Sequence, residues 1–298
     1  MGKKKHILQI FSSKAVAFLV GIVRGYFVPG YLGPKMYGVI HLLKLVKIIL
    51  GFSSMGFDQA YMRLLPGIKN SSNPETETKE LQNTIFSFLL ISSILGMIIT
   101  AFIPLFIKQD TPEMQRLMVF CFSITAVSHF FTLVGSFFVQ TQYIAKNFPL
   151  ISKLNVLQSL LSFGLIMATI FYWKIYGVFL AELVTVIVIQ GIYFYQTKIH
   201  LQFQLRWEKF KEIFKFSFPF FLSQVGFHFV RLTDRTVITL FLSLKDLGLY
   251  GFALNLSNQL RMVSVSINEV MTPHFLEEIS TLDSLIKKKR ISYGTHTC

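Results

Sequence analysis

Apolar residues gather in long runs at about 7–29, 36–60, 84–107, 115–140, 152–173, 176–196, 213–242 and 247–273, separated by short polar or Gly/Pro-bearing breaks. Each run is of the order of the ~20 residues that a helix needs to cross ~30 Å of hydrocarbon. The pattern predicts an all-α, polytopic helical membrane protein with about eight transmembrane spans. The breaks alternate in kind. "YLGPK", "IKQDTPEM", "YWKIYG" and "SLKDLG" are short, whereas "MRLLPGIKNSSNPETETKELQN" and "YQTKIHLQFQLRWEKFKEIFK" are longer and more basic.

Charge gives the alternation a direction. One side carries about 17 Lys and Arg, from Lys3, Lys4 and Lys5 through Arg63, Lys79, Arg206 and Lys209 to Lys287 and Arg290. The other side carries about five: Lys35, Lys108, Arg116, Lys174 and Lys245. This positive-inside asymmetry places both termini in the cytoplasm. It also accounts for most of the formal charge of +14, so no nucleic-acid partner is implied. A hydrophobic fraction of 52% with only 15% charged residues supports the membrane reading, since soluble domains carry about a quarter charged residues.

Other sequence features add limits. The opening "MGKKKHILQIF" has the charge of a signal-peptide start, yet the apolar run behind it reaches about Pro29, carries Lys14 and Arg24, and lacks a small-residue cleavage site. It reads as an uncleaved first span. Cys121 and Cys298 are too few and too far apart for a metal site or disulfide framework, and no cofactor is expected. Asn70-Ser71-Ser72 fits a glycosylation acceptor but falls on the cytoplasmic side, and is taken as a chance match. No phosphate loop, zinc-protease helix or nucleophile elbow occurs, so an enzyme is not expected.

Two longer patterns organise the chain. In "QFQLRWEKFKEIFKFSFPFF", Phe203, Leu205, Trp207, Phe210, Ile213 and Phe214 alternate with Arg206, Lys209, Lys211 and Lys215. Such a stretch suits a helix at headgroup level and also a linker between lobes. An internal echo pairs "FVPGYLGPKMYGVIHLLKLVKII" with "TLFLSLKDLGLYGFALNLSNQLR", offset by about 210 residues. Repeats of this kind build many transporters, with the pathway at their interface.

On particular residues the chain resembles the polysaccharide flippases, of the O-antigen and capsule repeat-unit type, of the multidrug/oligosaccharidyl-lipid/polysaccharide exporter superfamily. The segment "YLGPKMYGVIHLLKLVKIILGFSSMGFDQAYMRLLP" carries Gly33-Pro34, Tyr37-Gly38, Gly56 and Arg63. The segment "FKFSFPFFLSQVGFHFVRLTDRTVITLFLSLKDLGLYGFALNLSNQL" carries Pro219, Asp234-Arg235, Gly248, Tyr250 and Ala253. The resemblance implies a two-lobed fold of twelve to fourteen helices. This chain would then be a six-helix first lobe (1–196), a cytoplasmic amphipathic linker (197–215) and an incomplete second lobe of two helices with a basic tail (216–298). It also implies a multi-pass protein of the bacterial cytoplasmic (inner) membrane. There it would translocate a lipid-linked oligosaccharide, a polyprenyl-pyrophosphate sugar, for cell-surface polysaccharide and lipopolysaccharide synthesis, with other polysaccharide assembly proteins as partners. The alternatives are a cation-coupled drug or small-molecule antiporter of the same superfamily, and an inactive truncated fragment.

Charges inside apolar runs nominate the site. A charged side chain at mid-bilayer costs about 2.5–3.5 kcal/mol on insertion scales, so such residues face a bundle interior or a wet cavity. Lys14, Arg24, Lys44, Lys47, Arg231, Arg235 and Arg261 qualify. Arg24, Arg231, Arg235, Lys44 and Lys47 are the candidate cavity residues that hold the pyrophosphate, because arginine forks and lysines can replace the water of that anion. His41 precedes the two lysines on the same helix. Asp234 shares a helical face with Arg231 and Arg235 and is expected to neutralise one of them. The competing structural reading pairs these arginines with Asp234, Glu182 or Glu269, or lets residues near helix ends snorkel to the headgroups. Glu182 and Glu269 are candidates for ion coupling.

Overall fold

The computed structural model describes residues 2–68, 73–107, 111–255 and residues 257, 268, 271, 272 and 275, with backbone alone at 2–10, 230 and 231. The described residues are helical almost throughout and contain no strand. Helix α1 covers Gly2–Gly51. As one straight rod, 50 residues would reach ~75 Å, more than twice the hydrocarbon thickness. The chain instead breaks at Gly33, whose φ of 76° and ψ of 164° belong to a region that glycine alone enters freely. Val28 and Tyr37 lie in one buried cluster, and Arg24 and Lys44 line one space, so the two arms of α1 run back past each other. They are the first two predicted spans.

The second predicted span, 36–60, ends differently from its hydropathy. Its helix stops at Gly51, a 3-10 turn follows at Phe52–Ser54, Met55 and Gly56 take φ values of 47° and 74°, and α2 restarts over Phe57–Ile68. Phe52, Met55 and Phe57 keep this break apolar, which hides it from a hydropathy pattern.

Helices α3 (Pro74–Phe106) and α4 (Pro112–Ile144) both start with proline in the first turn and acidic residues beside it, Glu75 and Glu77 in one and Glu113 in the other. Proline loses no helical hydrogen bond at that position, and carboxylates suit the positive end of the helix dipole. Thr111 caps α4 by accepting from the Met114 amide at 3.3 Å. Helix α5 (Phe148–Gln196) breaks at Lys174, with φ 48° and ψ −128°. The Thr169 hydroxyl donates to the Gly177 carbonyl across this turn at 3.1 Å, whereas eight residues of straight helix would separate them by ~12 Å. The fifth and sixth predicted spans are thus the arms of a hairpin. Helix α6 (Trp207–Phe241) bends by 51° between Phe229 and Leu232, and α7 begins at residues 244–255.

Among the described residues, four helical runs are long and apolar enough to cross a membrane: Phe11–Ile68, Pro74–Phe106, Pro112–Ile144 and Phe148–Gln196. The two parts of bent α6 together make a fifth. This is a multi-pass membrane protein. Buried residues form two principal clusters. One joins both arms of α1 to α4 and α5 through Tyr37, Leu43, Met118, Phe122, Ile170 and Val178. The other joins α2, α3, α4 and α5 through Phe57, Tyr61, Leu81, Ile85, Phe137 and Tyr193. Large apolar side chains such as Ile99, Phe102, Leu160 and Phe194 remain on the outside, as lipid contact requires.

The amphipathic stretch before α6 is fastened to α3. Its backbone amides at Gln202 and Gln204 donate to Asn83 Oδ1 and Ser87 Oγ of α3, at 3.0 and 2.9 Å, and Arg206 pairs with Glu80. Phe210, Ile213 and Phe214 then pack into the second cluster, while Phe203 and Trp207 stay exposed. Asn83 and Ser87 satisfy backbone donors that would otherwise be lost on burial, which is why this strip settles on protein.

The second arm of α1 and α7 meet through glycines. A Cβ on Gly38 would fall inside the contact radius of the Leu244 carbonyl oxygen, one on Gly248 would collide with the Pro34 carbonyl, and one on Gly251 with the His41 ring. Small residues let membrane helices approach this closely. The motif glycines Gly38 and Gly248 therefore serve a helix contact.

Candidate functional site

Three basic residues converge where α1 folds against α5. A cavity of about 340 Å³ is lined by Arg24, Lys47, Gln158, Ser162, Glu182 and Thr185. A narrower space of about 20 Å³ continues from it between Arg24, Tyr37, Lys44, Glu182 and Asn255. Arg24 Nη1 donates to Ser162 Oγ at 3.1 Å, and Lys47 Nζ lies 3.3 Å from Glu182 Oε2. Lys44 makes no ion pair among the described residues and is close enough to Arg24, Lys47 and Glu182 to feel their charges. Among the described residues, three cations thus lie about one carboxylate, an excess of two positive charges in a membrane-spanning bundle. Local sequence explains the placement: Lys44 and Lys47 are one turn apart on the second arm, and the reversal at Gly33 returns that arm to Arg24.

The other expected residues divide. Arg235 of α6 lines neither cavity; its Nε is buried without a hydrogen-bond partner, and its charge reaches His41 and Lys44. Asp234 does not form an ion pair with Arg235. Its Oδ2 accepts from the Tyr250 hydroxyl at 2.8 Å, because the start of α7 brings that phenol to the exposed side of α6. Glu182 is engaged by Lys47, and among the described residues it makes no ion pair with Arg235. His41 faces the α7 contact, edge-on to Tyr37 at 4.7 Å between ring centroids, so it does not extend the lysine strip into the cavity. The Arg231 side chain, Arg261 and Glu269 lie outside the described residues.

One carboxylate escaped the sequence reading. Asp58, in the first turn of α2, lines a cavity of about 210 Å³ with Lys47, Ser54, His129, Thr132 and Ser136. The Ser54 hydroxyl donates to Asp58 Oδ1 at 3.4 Å, and no ion pair reaches Asp58 among the described residues. The available signal was an acidic residue inside the run 36–60, overlooked beside the more numerous lysines. Lys47 borders both this cavity and the one containing Glu182.

A family model for polysaccharide biosynthesis proteins matches residues 30–283. The chain belongs to that family. A comparison by sequence with curated proteins finds no match for this polysaccharide biosynthesis protein. Its fold is shared by solved structures. A multidrug resistance MATE family transporter of the MOP superfamily, in an outward-facing conformation, is 15% identical with a TM-score of 0.68, over 94% of this chain and 68% of that one. The MATE multidrug transporter DinF-BH, solved in a complex, is 16% identical with a TM-score of 0.70, over 91% and 64%. A MOP superfamily transporter from Pyrococcus furiosus, described as having a binding pocket of reverse polarity, is 16% identical with a TM-score of 0.61, over 92% and 65%. This family member thus shares the helical fold of these structures and spans about two-thirds of their length.

Proposed function

We propose that this polysaccharide biosynthesis family member lines the path of a lipid-linked oligosaccharide across the cytoplasmic membrane, with Arg24, Lys44 and Lys47 receiving its pyrophosphate. The observation that carries this reading is the basic cavity: three cations around Glu182, embedded in membrane-spanning helices. A pyrophosphate stripped of water needs charged donors, and the planar fork of Arg24 with the two ammonium groups offers them. The anion competes with Glu182 for Lys47, so release of Lys47 accompanies binding and its return accompanies departure. Arg231 and Arg235 are taken as further cations of the path on the α6 side, outside the described lining of the cavity, with Glu182 and Glu269 as the candidate coupling carboxylates. A cationic drug would meet the wrong sign of charge here, which favours the anionic substrate over the antiporter alternative.

In this reading residues 1–196 are the first lobe, 197–215 the cytoplasmic linker and 216–298 the start of the second lobe. Both termini are cytoplasmic, and other polysaccharide assembly proteins act beside it. The test is rescue of surface-polysaccharide export in a bacterium lacking its own flippase. Arg24→Ala and Lys47→Ala are expected to abolish rescue at normal membrane levels of the protein. Rescue equal to the unsubstituted chain by both variants would sink the proposal.

A further inference from the structure

A second, larger pocket lies away from the basic cavity, on the side of the short, lysine-poor loops. Its volume is about 920 Å³, within the range of small-molecule sites, and three chain segments build it: the α1 turn, the start of α4 and the α5 turn. Four amphipathic rings converge there, Tyr31, Tyr172, Trp173 and Tyr176. Two are braced by their neighbours. Tyr31 stacks on Phe27 at 6.3 Å and meets Phe171 edge-on at 5.4 Å, while Tyr176 meets Phe120 edge-on at 4.9 Å. The other two present open faces, with Tyr172 84% and Trp173 57% exposed.

Rings that only anchor a protein at the membrane interface need neither a pocket nor charges within it. This pocket holds Lys35, Lys174 and Glu113 among its rings. Lys174 stands at φ 48° and ψ −128°, where glycine turns a chain with less strain. A strained lysine held in the wall of a pocket places an ammonium group where a turn alone would not call for one.

We propose that this pocket is a saccharide site, receiving an acid-bearing part of the sugar chain on the side opposite the basic loops. The negative faces of Trp173 and the tyrosines suit the weakly positive C–H groups on one face of a pyranose ring. Glu113 accepts from ring hydroxyls. Among the described lining residues Lys35 and Lys174 outnumber that carboxylate and select a sugar carrying an acidic group. The sidedness and the link to translocation rest on the proposed function, whereas the binding itself does not.

The experiment uses the full chain in nanodiscs, with Trp207→Phe leaving Trp173 as the single fluorophore of the two tryptophans. The probes are a glucuronate-containing disaccharide, maltose and phosphocholine. A saturable change in Trp173 emission is expected with the acidic disaccharide, at least fivefold weaker with maltose and absent with phosphocholine. Lys174→Gly is expected to remove the preference for the acidic probe, and Tyr176→Leu to weaken both sugars at least fivefold. No saturable response to either sugar by a folded chain overturns the proposal. So does an equal response to phosphocholine, which is the behaviour of an interfacial aromatic belt. Arg24→Ala separates the two readings: an unchanged Trp173 response in that chain supports a distinct outer site, whatever its effect on export, and a lost response contradicts one.

Discussion

Replacement of Gly38 by alanine probes the contact that closes one end of the site. In the structure a Cβ at Gly38 would lie 2.8 Å from the Leu244 carbonyl carbon and still closer to its oxygen. Both partners are backbone, so relief requires α1 and α7 to part by appreciably more than about 1 Å at this point, and overpacking of this kind costs about 1–3 kcal/mol. That energy falls on the packed contact and shifts the ratio of packed to parted helices by about 5- to 150-fold. The assay is labelling of an Asn255→Cys chain, in a Cys298→Ser background, by a membrane-impermeant maleimide added from the loop side of Leu244. Asn255 sits beneath the contact, near Gly25 and Tyr37, and Cys121 is buried. The labelling rate is expected to rise with Gly38→Ala and with Gly248→Ala. It should stay unchanged with Gly30→Ala, where an added Cβ meets nothing within 4 Å. An unchanged rate in both contact variants, with the protein inserted and folded, would refute the close-approach argument.

Glu182→Gln leaves Lys47 beside a neutral amide and is expected to lower Tm in detergent by the equivalent of about 1–2 kcal/mol, since the paired side chains are only part-buried. Asp58→Asn removes a carboxylate that forms no ion pair among the described residues and is expected to leave Tm unchanged or raise it; a larger fall than in Glu182→Gln would contradict that reading. Lys174→Gly relieves a conformation that disfavours side chains and is expected to raise Tm by the equivalent of about 1 kcal/mol, measured by thermal unfolding in nanodiscs. Arg235→Ala removes the α6 charge that reaches Lys44 and is expected to reduce export rescue without changing insertion, read by complementation and membrane immunoblotting.

The first seven spans were legible because lipid imposes a length and an apolar character on every crossing, and the turns at Gly33 and Lys174 fall in the breaks "YLGPK" and "YWKIYG"; most of the eighth, 247–273, lies outside the described residues. The break at Phe52–Gly56 was hard to read because Phe52, Met55 and Phe57 keep the run apolar around Ser53 and Ser54, and the backbone conformation marks it most clearly. Basic residues in apolar runs singled out Arg24, Lys44 and Lys47 one by one, but their nearness to one another comes from the α1 reversal that brings its two arms together. Their counter-charge was not readable, because Lys47 and Glu182 are 135 positions apart and meet through the packing of α1 on α5. For Asp234 the helical spacing pointed to an arginine, and the hydrogen bond it accepts from Tyr250 of the next helix was beyond what spacing within one helix can show. The motif glycines were visible from the start, but their purpose appeared only when Gly38 and Gly248 were seen facing backbone across a helix contact.

The central claim is that the basic cavity selects an anion, and binding of farnesyl pyrophosphate to the purified full chain tests it most directly, with farnesol as the neutral counterpart. Calorimetric titration is expected to show binding of the pyrophosphate, at least tenfold weaker binding in the Arg24→Ala and Lys47→Ala chains, and no such difference for farnesol. Equal affinity for the two ligands, or pyrophosphate binding untouched by both substitutions, would contradict it.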